Sequence, residues 1–284
     1  MSSVTSTVQQ QLQAAKALLS LSLPRAEAAV DAQILLMHVL GVNRAWLLSH
    51  DTDVLGADAV QAYARLVQQR SQGVPVAHLL GYREFFGLRL AVTADTLIPR
   101  PDTETLVEAA LVQINRPLQV LDLGTGTGAV ALAIAHHAAD CQVTAVDASP
   151  AALQVARTNA ETLGIKNVQF LHSDWFSAVS GRRFDLIVSN PPYIESDDPH
   201  LQQGDLRFEP LTALASGADG LDDIRHIVTQ ARAHLHPQGW LMLEHGYRQA
   251  EAVQALLAIA GFSRIATLHD LGDQPRVTMG CLTD

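Results

Sequence analysis

Leu118-Gln119-Val120-Leu121-Asp122-Leu123-Gly124-Thr125-Gly126-Thr127-Gly128 is the stretch on which the fold turns. Residues 118–123 form a short, mostly apolar run that reads as a buried strand. Three glycines follow at once, and residues 129–137 continue as a helix of small apolar side chains. Strand, glycine loop and helix in that order open an α/β sheet, whose ligands sit beyond the carboxyl ends of the strands. Glycines placed there let the backbone turn tightly and come close to a ligand.

The pattern repeats downstream. Strands are predicted at 142–147, 168–172, 184–189, 239–245, 265–270 and 277–282, with helices at 150–163, 220–235 and 248–260. Ser149-Pro150 supplies a cap and a first-turn proline. Strand–helix alternation implies a doubly wound, mostly parallel sheet of seven strands with right-handed crossovers. Only residues 271–276 separate the last two strands, too few for a helical crossover, so that pair is expected to be antiparallel.

Upstream, residues 1–81 read as helices alone. Val8, Leu12, Ala15, Leu18 and Leu19 recur at helical spacing, a second helix follows Pro24 and ends at Gly41, and shorter ones fit 44–49, 57–69 and 75–81. Residues 82–101 change character: 84–90 resembles two short strands about a Gly87 turn, and Pro99 and Pro101 stiffen the approach to a helix capped by Asp102. The expected organisation is therefore a helical domain (1–81), a hairpin linker (82–101) and an α/β domain (102–284).

Composition bounds the function. Hydrophobic residues make up 48% and charged residues 17% of 284, enough apolar surface for real cores and too much for disorder. No apolar run approaches the roughly 18 residues that cross a bilayer. The first residues carry no basic group ahead of an apolar core, so no export signal is expected. Two cysteines, Cys141 and Cys281, suit a reducing compartment, and a cytoplasmic location is expected. The net charge of -10 falls wholly on residues 82–284, since 1–81 balance five acids with five bases. A nucleic-acid enzyme needs a cationic face, and neither part shows one.

Strand two ends in Asp147, placed to accept hydrogen bonds from both hydroxyls of a ribose. Dinucleotide-binding and S-adenosylmethionine-binding folds share this arrangement. Here the glycines run G-x-G-x-G with Asp122 ahead of them. A pyrophosphate wants bare N–H groups, whereas a donor with an ammonium and a sulfonium tolerates a carboxylate. Asp122, Gly124, Thr125, Gly126, Thr127, Gly128 and Asp147 are thus candidate S-adenosylmethionine residues, with Asp122 as a simple turn cap the alternative. Strand three ends at Ser173-Asp174-Trp175, where Asp174 can bond an adenine amino group beside a Trp175 wall, or merely cap a turn before a core tryptophan.

The strongest signal is Asn190-Pro191-Pro192-Tyr193 after strand four. Two prolines remove two donors and fix two φ angles, leaving rigid carbonyl acceptors at Asn190 and Pro191. Such a site takes a planar NH2 group: one hydrogen to the Asn190 side-chain oxygen, the other to the Pro191 carbonyl, with Tyr193 stacked on the flat face. Two acceptors raise electron density on a delocalised nitrogen and aim its lone pair out of plane. Alignment of this kind is worth on the order of 10⁵ M in effective concentration. Asn190, Pro191, Pro192 and Tyr193 are the catalytic candidates, and Asn190 borders the donor as well.

Residues 122–128, Asp147 and 190–193 resemble the class I S-adenosylmethionine-dependent methyltransferases, a Rossmann-like fold, that modify planar NH2 nitrogens. Residues 97–104 (LIPRPDTE), 173–175, 189–194 and 207–214 (RFEPLTAL) narrow the resemblance to the HemK/PrmC-type glutamine methyltransferases of peptide chain release factors. The match covers nearly the whole chain, with no departure at the motif positions. It implies methylation of the side-chain amide nitrogen of the glutamine in the Gly-Gly-Gln loop of class 1 release factors. Between Tyr193 and Pro210 stand five acids and one base, Arg207, which disfavours a nucleic-acid substrate. Two alternatives stay open: a methyltransferase acting on an exocyclic amine of DNA or rRNA, and a non-catalytic adaptor for release factor or ribosome.

Twelve histidines invite a metal reading, but His136-His137 and His234/His236 lack ligand spacing, and no metal is expected. Arg100 and Glu104 fall where the linker crosses the cofactor mouth. Arg100 is a candidate substrate contact, and an Arg100–Glu104 ion pair at i, i+4 is the favoured alternative.

Overall fold

The computed structural model describes residues 6–283. Residues 1–5, on which the expectation of no export signal rests, lie outside the described residues. The chain forms two compact units, Met1–Gly81 and Tyr82–Asp284.

The first unit is helical: α1 (Val8–Leu19), α2 (Arg25–Leu40), α3 (Arg44–Ser49), α4 (Ala57–Ser71) and α5 (Val76–Leu80). Thr7 and Gln10 form a reciprocal capping box at the start of α1. The apolar stripes meet in a core of Val8, Leu19, Leu35, Leu36 and Tyr63. Arg70 is buried there, and Asp31 at 2.7 Å and Glu27 at 3.0 Å neutralise it.

The second unit opens with the hairpin β1 (Tyr82–Phe85) and β2 (Leu88–Ala91). Phe86 and Gly87 both take positive φ, the two-residue turn that matches strand twist. The hairpin is not a free linker. Phe85, Leu88 and Leu90 sit in one core with Leu106, Val120 and Leu132. The Asn159 side chain binds both backbone groups of Ala91, at 2.7 and 3.1 Å, and donates to the Thr127 carbonyl at 2.9 Å. Hairpin and glycine loop are therefore tied to one helix.

Next come α6 (Glu104–Gln113), β3 (Gln119–Leu123), α7 (Ala129–His137), β4 (Gln142–Asp147), α8 (Pro150–Leu163), β5 (Val168–His172), β6 (Phe184–Ser189), α9 (Asp222–Ala231), β7 (Leu235–Glu244), α10 (Ala250–Ile259), β8 (Ser263–His269) and β9 (Pro275–Cys281). The sheet order is β5-β4-β3-β6-β7-β9-β8. β3 to β7 run parallel, and β9 inserts antiparallel between β7 and β8. One core joins α6 and α7 to a face of the sheet; a second joins α9 and α10 to the other. Burial on both faces explains why these strands read as apolar runs rather than alternations.

Asp102 does not cap α6 as expected. Pro101–Thr103 forms a 3₁₀ turn first, and Asp102 instead pairs with Arg276 at 3.1 Å.

Candidate active site

The register of the sheet assembles the site. Leu123 stands opposite Ser189 on one side and Val146 on the other, and Asp147 stands opposite His172. The glycine loop, Asp147, the Asp174–Trp175 turn and Asn190 therefore leave four neighbouring strands at one edge. Ser189 Oγ donates to the Leu123 carbonyl at 2.7 Å and locks the two central exits together.

Around this edge lies a cavity of about 590 Å³, within the range of small-molecule sites. Gly124, Gly126, Asp147, Asp174, Trp175, Asn190 and Pro192 line it. A Cβ on Gly124, whose φ is +71°, would lie 3.6 Å from the Trp175 ring, so the missing side chain leaves room against the indole. Gly128 serves packing instead: a Cβ there would stand 3.0 Å from Leu132 and 3.2 Å from Ala156. Asp147 is held on both oxygens, by the Gly126 amide and the Ser149 amide, each at 2.8 Å.

Asp122, Thr125, Thr127 and Gly128 do not line the cavity. Asp122 is fully buried beneath the loop and accepts from Thr125 Oγ1 at 2.6 Å. Burial pushes its pKa up to about 7, against the pull of the Thr125 hydroxyl and the Ala131 amide. Asp122 and Thr125 brace the loop from behind, and Gly128 packs against Leu132 and Ala156.

Asn190 borders two spaces. One is the large cavity; the other is a pocket of about 60 Å³ lined by Leu97, Arg100, Pro191, Tyr193 and Leu206. Its Nδ2 donates to Thr103 Oγ1 at 3.1 Å, which leaves Oδ1 as the free branch of the amide. The Tyr193 hydroxyl donates to Glu244 Oε1 at 3.3 Å, and burial holds that phenol above its usual range.

Arg100 pairs with Glu209, not with Glu104. The 3₁₀ turn after Arg100 breaks the helical spacing that an i, i+4 pair needs. Glu104 accepts the Phe86 amide at 2.9 Å instead. Glu209, one of the five acids between Tyr193 and Pro210, has a wholly buried side chain; its second oxygen accepts the Ile98 amide at 2.8 Å. Burial raises its pKa while Arg100 lowers it.

The cavity wall carries four carboxylates, Asp95, Asp147, Asp174 and Asp223, and no Lys, Arg or His. A cationic donor fits that field, and a pyrophosphate does not. Among the described residues no group of three His, Cys, Asp or Glu is arranged to hold a metal ion.

With this geometry the likeness to known proteins becomes specific. Residues 101–204 match the family model "Methyltransferase small domain", and residues 10–81 match "PrmC N-terminal domain". The chain is 51% identical over 251 residues to the release factor glutamine methyltransferase of Escherichia coli, covering 88% of this chain and 91% of that one. This chain belongs to the release factor glutamine methyltransferase family. The relative of that name from Xylella fastidiosa is 52% identical over 266 residues, covering 93% of this chain and 96% of its own. Among solved structures, a methyltransferase from Pyrococcus furiosus superposes with a TM-score of 0.54 at 19% identity, covering 70% of this chain and 91% of that one, a likeness of fold.

Three residues that now stand beside the tetrapeptide of this methyltransferase escaped the sequence reading: Thr103, Glu209 and Glu244. Glu244 left a faint trace, an acid at the carboxyl end of the apolar run Leu241-Met242-Leu243. Thr103 and Glu209 stand within the stretches 97–104 and 207–214 that carry the family resemblance, but their roles depend on partners more than 80 residues away.

Proposed function

We propose that the protein transfers a methyl group from S-adenosylmethionine to the side-chain amide nitrogen of the glutamine in the Gly-Gly-Gln loop of class 1 release factors. The observation that carries the reading is Asn190, shared between a cation-free, carboxylate-lined cavity and a small pocket of a size for one planar amide. When bound, the donor supplies a methyl group on a positively charged sulfur.

The chain's own residues do the rest. Asp147, preset by two backbone amides, accepts the ribose hydroxyls; Asp174 accepts from the adenine amino group, and Trp175 walls the ring. Asn190 Oδ1 and the Pro191 carbonyl accept the two amide hydrogens, aiming the nitrogen lone pair across Asn190 into the large cavity. Arg100, on the rim of the small pocket, is placed to meet the substrate backbone. Release of a proton follows methylation, when the nitrogen has become acidic, and needs no dedicated base. Residues 1–81 bind the body of the release factor. A cytoplasmic location fits a partner that works in translation.

An exocyclic amine of DNA or rRNA is the second reading. The acids Glu195, Asp197, Asp198 and Asp205 that follow the tetrapeptide weigh against it, since phosphates would have to approach them. The test is transfer of a labelled methyl group to purified release factor, followed by mass mapping. Label on the loop glutamine supports the proposal. Label on nucleic acid alone, or none, rejects it.

A further inference from the structure

The two prolines of the tetrapeptide have no N–H, so the first backbone donor after Asn190 belongs to Tyr193. It donates to the Leu214 carbonyl at 3.2 Å, and the Ile194 amide reaches the same oxygen at 2.9 Å. The Tyr193 carbonyl is met by the Gln249 side chain, whose Nε2 donates to it at 3.0 Å. No part of the methyl transfer described above employs Gln249.

Gln249 stands just ahead of α10, and its one amide group ties three segments together. Nε2 donates also to the Asp219 carbonyl at 3.2 Å, in the turn before α9, and Oε1 accepts the Gly246 amide at 2.8 Å, in the turn after β7. The partners fix the orientation of this amide. Two carbonyls can only accept and an N–H can only donate, so a flipped side chain would lose all three bonds. Gly220 makes room for the contact. Its φ is +72°, and a Cβ there would overlap the Tyr193 carbonyl oxygen and lie 2.7 Å from Gln249 Nε2. A bare glycine and a bifurcated donor thus converge on one carbonyl.

We propose that Gln249 is a positioning residue: it pins the Tyr193 carbonyl to the β7–α10 turn and so sets where the Tyr193 ring and the Pro191 carbonyl stand for the acceptor amide. The proposal rests on the reading of the tetrapeptide as the amide site. The leading end of the tetrapeptide is fixed separately, where Ser189 binds the Leu123 carbonyl. At the trailing end the Tyr193 hydroxyl reaches Glu244 at 3.3 Å, which holds only the tip of the ring. Gln249 does not line the donor cavity, so its effect falls on the acceptor side.

Two substitutions separate this role from that of a turn cap. Gln249→Glu keeps the acceptor for Gly246 but turns a negative charge on the Tyr193 and Asp219 carbonyls. Gln249→Lys keeps hydrogens for both carbonyls and gives up Gly246. The position is half-buried, so neither charge is forced into the core. In single-turnover kinetics with saturating S-adenosylmethionine and release factor, Gln249→Glu should be slower by about tenfold or more, since a shift of about 1 Å in a reacting group can cost about a hundredfold. Gln249→Lys should recover most of that loss, and calorimetry should give both variants the parental Kd for S-adenosylhomocysteine. A Gln249→Glu enzyme with the parental rate would overturn the proposal. So would equal losses in the two variants, which would trace the effect to the turn at Gly246.

A second measurement needs no substrate. The amides of Tyr193, Ile194 and Ser196 donate to the carbonyls of Leu214 and Gly217. Their hydrogen exchange, read by mass spectrometry, should quicken in Gln249→Glu and stay near the parental rate in Gln249→Lys. Equal exchange in all three proteins would reject the anchor. This result stands whether or not the release factor is the substrate, so the two proposals fail separately.

Discussion

The carboxylate of Asp147 accepts the backbone amide of Gly126 at 2.8 Å, so the acid that ends β4 holds the loop that ends β3. Asp147→Ala should weaken donor binding by about 1.5–3 kcal/mol, because the ribose hydroxyls lose a charged acceptor and the loop loses its tether. Calorimetry with S-adenosylhomocysteine measures it. An unchanged Kd would remove Asp147 from the site, and tight NADH binding by the parent would overturn the donor assignment.

Asn190→Asp keeps shape and an acceptor, yet should nearly abolish turnover while sparing donor affinity. A negative charge beside the sulfonium stabilises the reactants, and that attraction fades as positive charge leaves sulfur in the transition state. Asn190→Ala should be as damaging for a different reason, an amide hydrogen left without an acceptor. Single-turnover rates at saturating donor decide; an aspartate variant as fast as the parent would show that neutrality is irrelevant here.

Glu209 satisfies both Arg100 and the Ile98 amide from within the core. Glu209→Ala strands both donors and should lower stability by about 2 kcal/mol, tempered because Arg100 retains some contact with water. Glu209→Gln keeps an acceptor for each and should cost less than half of that. Urea denaturation of the three proteins reads the difference, and equal midpoints would show the pair to be idle.

Asp122 gives a pH signature. Its pKa is raised from 3.8 to about 7 in the folded protein, so between those values the folded state holds a proton that the unfolded chain has released. Stability from this group is therefore full at low pH and is lost as pH rises towards 7, by at most about 1.4 kcal/mol per unit. Asp122→Asn does not titrate. The parent should thus lose ground to the variant between about pH 5 and about pH 8 in urea melts. A constant difference would mean that Asp122 is not buried as a neutral acid.

Residues 1–81 have zero net charge and carry no chemical motif, while the donor cavity belongs wholly to the second unit. A chain beginning at Tyr82 should bind S-adenosylhomocysteine with parental affinity but methylate intact release factor poorly. Parental turnover by the shortened chain would reduce the helical unit to a structural appendage.

The sequence by itself determined the elements and the chemistry carried within single segments. Alternating apolar runs, the three glycines and the paired prolines are local signals, because backbone freedom at Gly124 and its loss at Pro191 are properties of the residues themselves. The position of Asp147, the proposed ribose contact, was legible for the same reason, as it ends a strand whose place in the order follows from alternation. Only the tertiary structure decided what those segments lean on. Asp122 faces inward because the Thr125 hydroxyl meets it beneath the loop, not because of its own position. Arg100 chose Glu209, 109 residues away, over Glu104 four residues along, since a 3₁₀ turn rotated the near partner out of reach. Thr103 meets Asn190, and Glu244 meets Tyr193, only because β6 and β7 are adjacent and α6 packs over them. A buried polar group must find its partner wherever the fold puts one, and sequence spacing carries no record of that choice.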